Sequence, residues 1–521
     1  MKRPFVGLCA ALMVLSAQTG AAPAAEQQSD SQARALLQKH HEFAGWQLGD
    51  GTFKTMRLTR EYTDDKGDVV TRRQELRVGL AYRNASTNVR RNVTYDDGFT
   101  GNIFWNTNWN GFTTPEYGEA AKYDLTYAGL FDEGLNTLPA TSRGSATVDG
   151  AIAQIVRVSV PNADAVDLYV DPATGAFVQA VIDPGGDYDT TIRGIQYGDV
   201  LPGKKMIHSF RYGTGRPWVY TKIEPNVIVG DQDLHPPAPS ATWSFANAQP
   251  FPIEVSYDRF YVDATIDGVP GRFILDTGSS SIYLTQRFAS KVKLKTLWSA
   301  TRTGGAIGDD AIKSDIVKLD SLTIGGNTLS NVTAELNRSN FEGDKEAPDG
   351  LIGFDLFGGA VVTLDTGAST MTIRDPSTEV DTSQGVPLLV DLSGGVPVVP
   401  MKLNGSIDVR AILDSGSPEH VLFSSELISQ HGLRMAVDSS AVGYIQSHLY
   451  FRGVGGVNFR PAECGHIDSL ALGPIVYGGA NACSTYDLGG RNVLVGFDFL
   501  KHFNIIFDYP HARMVLIPNK N

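Results

Sequence analysis

Cysteine is scarce: three in 521 residues, and one of them, Cys9, lies near the N-terminus. That excludes a small disulfide-stapled scaffold, whose core is replaced by dense cross-links. Basic charge is also lacking. Lys and Arg number 44 against 57 Asp and Glu, a formal net charge of −13, and no block of Lys or Arg occurs. A nucleic-acid partner calls for a basic surface that displaces phosphate counterions, so no nucleic-acid role is expected. Beyond the first residues no apolar run approaches the ~20 residues of a membrane-spanning helix, so no membrane span is expected. There is no P-loop, dinucleotide fingerprint, Ca²⁺ loop or zinc pair; His40-His41 lacks the Glu and second His of a zinc helix. Neither a metal nor a cofactor is predicted. His420 and His502 come without a Ser or Cys elbow, which gives a serine or cysteine triad no support.

What is present fits a globular chain with real cores: 42% apolar and 19% charged residues. At ~150 residues per domain, the length predicts about three domains. The 55 glycines follow no collagen period and read as turns. Residues 1–25 carry Lys2 and Arg3, an apolar run from Phe5 to Ala17 and the small-residue stretch Ala22-Pro23-Ala24. That order is the one of a secretory signal, so an exported protein, periplasmic or secreted, is expected. Cys9 follows Val6-Gly7-Leu8, a poor lipid-attachment site. Loss of the two basic residues takes the net charge to −15. An even pair, Cys464 and Cys483, is left, and an exported chain favours a disulfide between them.

Leu36, Leu37, His40 and Phe43 share a face at helical spacing, predicting a helix from residue 31 to about 46. Alternating runs broken by turns follow, such as Val166–Val170, then Asp171-Pro172-Ala173-Thr174-Gly175 and a returning Ala176–Ile182. Residues 26–230 therefore read as an N-terminal β-rich accessory domain: one helix, then antiparallel strands. Phe104, Trp105, Trp109 and Phe112 are read as strand packing, with a lipid or peptide groove as the alternative. Pro236, Pro237 and Pro239 mark a linker over 231–250.

Thereafter the chain repeats itself, as 251–378 and 386–521. Asp267-Gly268, a hairpin signal, precedes an apolar strand and Asp276-Thr277-Gly278-Ser279; Asn404-Gly405 precedes another and Asp414-Ser415-Gly416-Ser417. Leu319–Gly325 echoes Ile467–Gly473. Gly353, in Leu351-Ile352-Gly353, lies 77 residues after Asp276; Gly496, in Leu494-Val495-Gly496, lies 82 after Asp414. Gly304-Gly305 and Gly455-Gly456 stand between these landmarks. Two lobes of one mainly β fold are predicted. If they pair about a pseudo-twofold axis, Asp276 and Asp414 meet there. Two carboxylates about 3 Å apart cannot both ionise, so they share a proton. One can then take a proton from water while the other polarises a carbonyl. Gly278 and Gly416 allow the tight turns, and Thr277 and Ser415 offer hydroxyls to bond across the axis.

These residues resemble the pepsin-like and retroviral-type aspartic peptidases, over roughly 251–518. The resemblance implies catalysis by Asp276 and Asp414, without metal or covalent intermediate, on an extended peptide or protein substrate. It implies that Thr277 and Ser415 lock the two loops, that Ser279 and Ser417 bond the outer carboxylate oxygens, and that Gly304, Gly305, Gly455 and Gly456 lie in flap hairpins. The sequence departs from the pattern in lacking a tyrosine between Ser299 and Asp310, where Trp298 is the nearby aromatic, and in placing Pro418 and Glu419 after the second triplet. A third triplet, Asp365-Thr366-Gly367, stands where the second lobe has Asp508-Tyr509-Pro510, and is read as a late turn. The N-terminal texture is faintly similar to the half-barrels of periplasmic lipoprotein carriers, which implies possible lipid or envelope contact.

The expectation is thus an exported aspartic endopeptidase. Two alternatives stay open: a non-catalytic module binding peptide or an envelope ligand, and a lipid or lipoprotein carrier with vestigial peptidase lobes.

Overall fold

The computed structural model describes residues 30–186, 189–230, 232–303, 312–337, 347–418, 421–431, 433, 449–453, 456–460, 464–485 and 492–519. The fold is mainly β, with barrel and half-barrel sheets. The chain divides into two compact units. The first comprises residues up to Thr107 and Glu116–Pro237; the second comprises Asn108–Pro115 and Ala238–Asn521.

The first unit is built on a 13-stranded antiparallel sheet. Its opening strands, from Thr55–Thr63 onward, meander toward one edge. After the helix Glu119–Phe131 the chain starts again at the far edge with Ala140–Val148 and meanders back, until Trp218–Pro225 pairs with Thr55–Thr63. Strand Val166–Val170 shows why the sheet holds. Val166, Leu168 and Val170 alternate onto the buried face, where full burial of such side chains is worth ~1.5–3 kcal/mol each.

The first helix spans Ser31–Ala44. The Asp30 carboxylate accepts from the Ala33 N–H at 2.6 Å and caps its start. Gly45 ends it at φ +76°, where a β-carbon would overlap the Gly203 carbonyl. Its inward stripe is Ala33, Leu37, His40 and Ala44. His40 is a core residue. Nε2 lies 2.8 Å from Glu133, Nδ1 lies 2.8 Å from the Gly175 carbonyl, and the ring stacks on Phe177.

In the second unit, Val269–Leu275 is held between Arg259–Ile266, antiparallel, and Gly350–Ile352, parallel, in a nine-stranded sheet. The second copy repeats this. Ile407–Leu413 lies between Val398–Leu403 and Val493–Val495, in a closed six-stranded barrel. The turns before these strands carry positive φ at both members, Asp267 and Gly268 in one and Asn404 and Gly405 in the other, which glycine and Asx residues tolerate. Each turn is tied down alike. The Asp267 N–H donates to the Ser321 carbonyl and the Ser321 N–H to Asp267 Oδ1; Asn404 and Ser469 exchange the same two bonds. A six-stranded sheet draws strands from both copies, including Val361–Asp365 beside Phe503–Asp508.

Asp365 closes a turn of that sheet: its Oδ1 accepts from the Ala368 N–H at 2.8 Å, and it pairs in register with Thr370. Among the described residues, no helix is long and apolar enough to cross a membrane.

Candidate active site

Each aspartate triplet follows the last residue of a buried strand. The Asp276 N–H donates to the Ile352 carbonyl at 3.0 Å, and the Asp414 N–H to the Val495 carbonyl at 2.9 Å. The parallel strand ending at the apolar-apolar-Gly segment therefore fixes where each aspartate leaves the sheet. The turn closes alike in both copies: the Ser279 N–H donates to the Asp276 carbonyl, and the Ser417 N–H to that of Asp414. Beyond the glycine, the Phe354 N–H reaches the Ser279 carbonyl and the Phe497 N–H the Ser417 carbonyl, at 2.9 and 2.8 Å.

The two turns are joined by four reciprocal bonds. Thr277 Oγ1 donates to the Leu413 carbonyl at 2.7 Å and accepts from the Ser415 N–H at 2.9 Å. Ser415 Oγ donates to the Leu275 carbonyl at 2.7 Å and accepts from the Thr277 N–H at 3.1 Å. Both side chains are 1% exposed, so these bonds form away from water, where an unmade one is costly. A β-carbon on Gly278 would overlap the Asp414 carboxyl, and one on Gly416 would overlap the Asp276 carboxyl. Each glycine thus leaves room for the opposite acid, a reason for glycine that does not depend on backbone φ.

Asp276 and Asp414 are hydrogen-bonded to each other through their side chains. Burial, then the charge of Asp414 and the bond to it, push Asp276 well above the usual carboxylate range, against the pull of the Gly278 N–H. Burial also raises Asp414. The bond from Asp276 and the N–H groups of Gly416 and Ser417 oppose that rise; the latter two reach Oδ1 at 2.8 and 3.3 Å. Two unit charges about 4 Å apart at an effective dielectric near 20 repel by about 4 kcal/mol, which disfavours charging both. Asp414 accepts more N–H donors than Asp276, which favours its ionised form.

The surroundings add residues that sequence patterns did not single out. Arg259 Nε donates to the Gly416 carbonyl at 2.8 Å, tying the first copy to the second turn. The Tyr283 hydroxyl bonds Glu335 and Ser280 on the Asp276 side. Tyr509 is fully buried among Phe354, Phe357 and Phe507; its hydroxyl has no partner among the described residues, and burial with the nearby Asp414 and Asp276 holds its pKa well above the usual phenol range. Asp355, two residues beyond Gly353, is buried and pushed up to about 6, against donors from Asn110, Ile282, Asn108 and Ser281.

The Ser279 hydroxyl donates to the Ser281 carbonyl at 2.8 Å, which commits its one proton there and leaves its lone pairs to accept. Ser417 offers its backbone N–H to Asp414. Of the glycines placed in flaps, Gly304, Gly305 and Gly455 lie outside the described residues, as do Glu419 and His420. The flanking strands are described: Lys295–Thr303 pairs with Ile312–Ile324, and Leu449–Gly453 with Gly456–Arg460, which begins at Gly456. Cys464 stands opposite Cys483 in register on neighbouring strands, and Cys483 is disulfide-bonded. Among the described residues no cluster of three or more His, Cys, Asp or Glu is arranged to hold a metal.

Against known proteins, no curated protein matches the chain. Residues 262–356 match the family model described as aspartyl protease, a stretch that holds Asp276-Thr277-Gly278 and Leu351-Ile352-Gly353. This part of the chain is similar to aspartyl proteases, which supports a hydrolase that acts on peptide or protein.

Proposed function

We propose that the chain is an exported aspartic endopeptidase, its two copies forming the paired lobes of one active site. The observation that carries this reading is the close approach of the Asp276 and Asp414 carboxyls, set by the Thr277–Ser415 bonds and by glycines that leave space for the opposite carboxyl. A module that only binds peptide has no need of two acids in a contact that costs about 4 kcal/mol when both are charged.

The chemistry follows from the inequality of the pair. Ionised Asp414 takes a proton from a water held between the carboxyls, and the oxygen attacks the scissile carbonyl carbon. Asp276 gives its proton to the carbonyl oxygen, forming a neutral gem-diol. When the C–N bond breaks, the amine nitrogen takes a proton from Asp414 and the diol returns one to Asp276, which restores the starting state. Nothing is oxidised or reduced. A disulfide of Cys483 to Cys464, the residue opposite it in register, would clamp the hairpin Cys464–Leu472 and Ile475–Thr485, as suits an oxidising compartment.

The test is turnover of an unstructured protein between about pH 3 and 7. Asp276→Asn and Asp414→Asn should each lower kcat by at least ~10³-fold, the scale on which one member of a cooperating catalytic unit is lost. A pepstatin-type inhibitor should block the wild type. Undiminished cleavage by either variant would remove that residue from the mechanism. Binding of peptide without cleavage would favour the binding module, and co-purified lipid lost on substitution within the first unit would favour the carrier.

A further inference from the structure

Residues 108–115 are flanked on both sides by the chain of the first unit yet belong to the second. Residues 108–112 form a self-folded loop that leads into the strand Thr113–Glu116. Asn108 Oδ1 accepts the N–H groups of Asn110 and Phe112, both at 3.0 Å, and the Asn108 N–H donates to the Phe112 carbonyl. Gly111, at φ +80°, lets it lie against Pro239 and Ser240, whose backbone a β-carbon would meet at 2.7 and 2.8 Å. The Asn110 carbonyl accepts from the N–H groups of Ser240 and Ala241, each at 3.0 Å.

The Asn110 side chain is wholly buried and has a full set of partners. Its Oδ1 accepts from the Thr333 N–H at 2.7 Å, and its Nδ2 donates to the Thr333 carbonyl at 2.9 Å and to Asp355 Oδ1 at 2.7 Å. Asn108 Nδ2 reaches the same carboxylate oxygen at 2.6 Å. The other oxygen of Asp355 accepts from the Ile282 N–H at 3.1 Å and from Ser281 Oγ at 3.4 Å. The Ser281 carbonyl in turn receives the Ser279 hydroxyl at 2.8 Å, and the Ser279 N–H closes onto the Asp276 carbonyl. An unbroken hydrogen-bonded path therefore runs from Asn110 to the turn that carries Asp276. The second copy does this differently. Asp498, the counterpart of Asp355, is bonded by Lys501 and Tyr477, whereas the residue at the position of Lys501 in the first copy is Gly358. The first copy thus takes from residues 108–115 donors of a kind that the second supplies from Lys501, at the end of its short helix, and from Tyr477, on a strand.

On the reading of this site as an aspartic peptidase, we propose that Asn110, with Asn108, is a positioning residue for the catalytic aspartate Asp276, holding its turn in place through Asp355. A protein without residues 108–115 lacks part of its active-site support even if both acids are intact.

The test uses the full chain with Asn110→Ala, Asp355→Asn and the double variant, and Asn331→Ala as a control; Asn331 bonds the Ser240 carbonyl beside the loop but lies off the path. With folded enzyme counted by active-site titration, Asn110→Ala should lower kcat about tenfold with KM changed less than about twofold, since misplacement of a reacting group acts on the chemical step. The double variant should be no worse than the poorer single one, because both changes cut one path. Asn331→Ala should leave kcat unchanged. Amide hydrogen exchange at Ile282 should quicken at least about tenfold in Asn110→Ala and not in Asn331→Ala, whether or not the protein cleaves peptides. An unchanged Ile282 exchange rate in a folded Asn110→Ala protein, or a double variant as poor as the product of the singles, overturns the proposal. A wild type inert toward every peptide, with Ile282 exchange responding as expected, would instead overturn the peptidase reading and leave the role of Asn110 in placing the turn.

Discussion

Thr277→Val keeps the shape of the side chain and deletes one hydroxyl. In the folded protein that hydroxyl donates to the Leu413 carbonyl at 2.7 Å and accepts from the Ser415 N–H at 2.9 Å, at a residue 1% exposed. The substitution strands one acceptor and one donor at a position closed to bulk solvent. Each stranded group costs ~1–3 kcal/mol, so a loss of about 2–6 kcal/mol is expected. Thr277→Ser keeps both bonds and removes one methyl, which should cost only ~1 kcal/mol. Urea unfolding at constant m separates the two. With m of about 2 kcal/mol/M, Thr277→Val should move the midpoint down by roughly 1–3 M and Thr277→Ser by about 0.5 M. Turnover per folded molecule should also fall in the valine variant, since the same bonds set the approach of Asp276 to Asp414. Equal midpoints for valine and serine would refute the reasoning: the cross-copy bonds would then contribute nothing to folding.

Asp355 makes stability depend on pH. Its folded pKa of about 6 lies above the ordinary carboxylate value, so the folded state holds this proton more tightly than the unfolded chain. The associated stability is full below about pH 3.8 and is lost as pH rises through about 6, a total near 3 kcal/mol at ~1.4 kcal/mol per unit. Denaturant unfolding at pH 4 and 7 should show wild type losing stability relative to Asp355→Asn by roughly that amount; a constant difference would contradict the placement of Asp355 in a dry site. Tyr509→Phe removes a buried hydroxyl that has no partner among the described residues, so it should be neutral or stabilising by up to ~1–2 kcal/mol in thermal or urea unfolding. A loss above about 1 kcal/mol would mean that the hydroxyl has a partner in solution.

The parts of the fold legible in the sequence are those written in local chemistry. Asp267-Gly268 and Asn404-Gly405 name their turns because few other residues accept positive φ there. The strands leading into Asp276 and Asp414 show as short apolar runs, and the spacing of Leu351-Ile352-Gly353 and Leu494-Val495-Gly496 shows the duplication. The stretch from Val166 to Ile182 displays a hairpin through its alternation and its Asp-Pro turn. What lay hidden depends on partners far along the chain. Asn108 and Asn110 meet Asp355 across 247 and 245 residues, and nothing in Asn108-Trp109-Asn110-Gly111 distinguishes such a strut from an ordinary loop. Arg259 and Tyr509 reach the site by packing, which leaves no period and no spacing to read.

The central claim is that Asp276 and Asp414 hold one proton between them, and site-resolved ¹³C titration of the two side-chain carboxyls measures that directly. The account predicts coupled curves, each carboxyl responding to both steps, with the last proton leaving well above the ordinary range near 3.9 and residing mainly on Asp276. Two independent curves, each centred near 3.9, would contradict it.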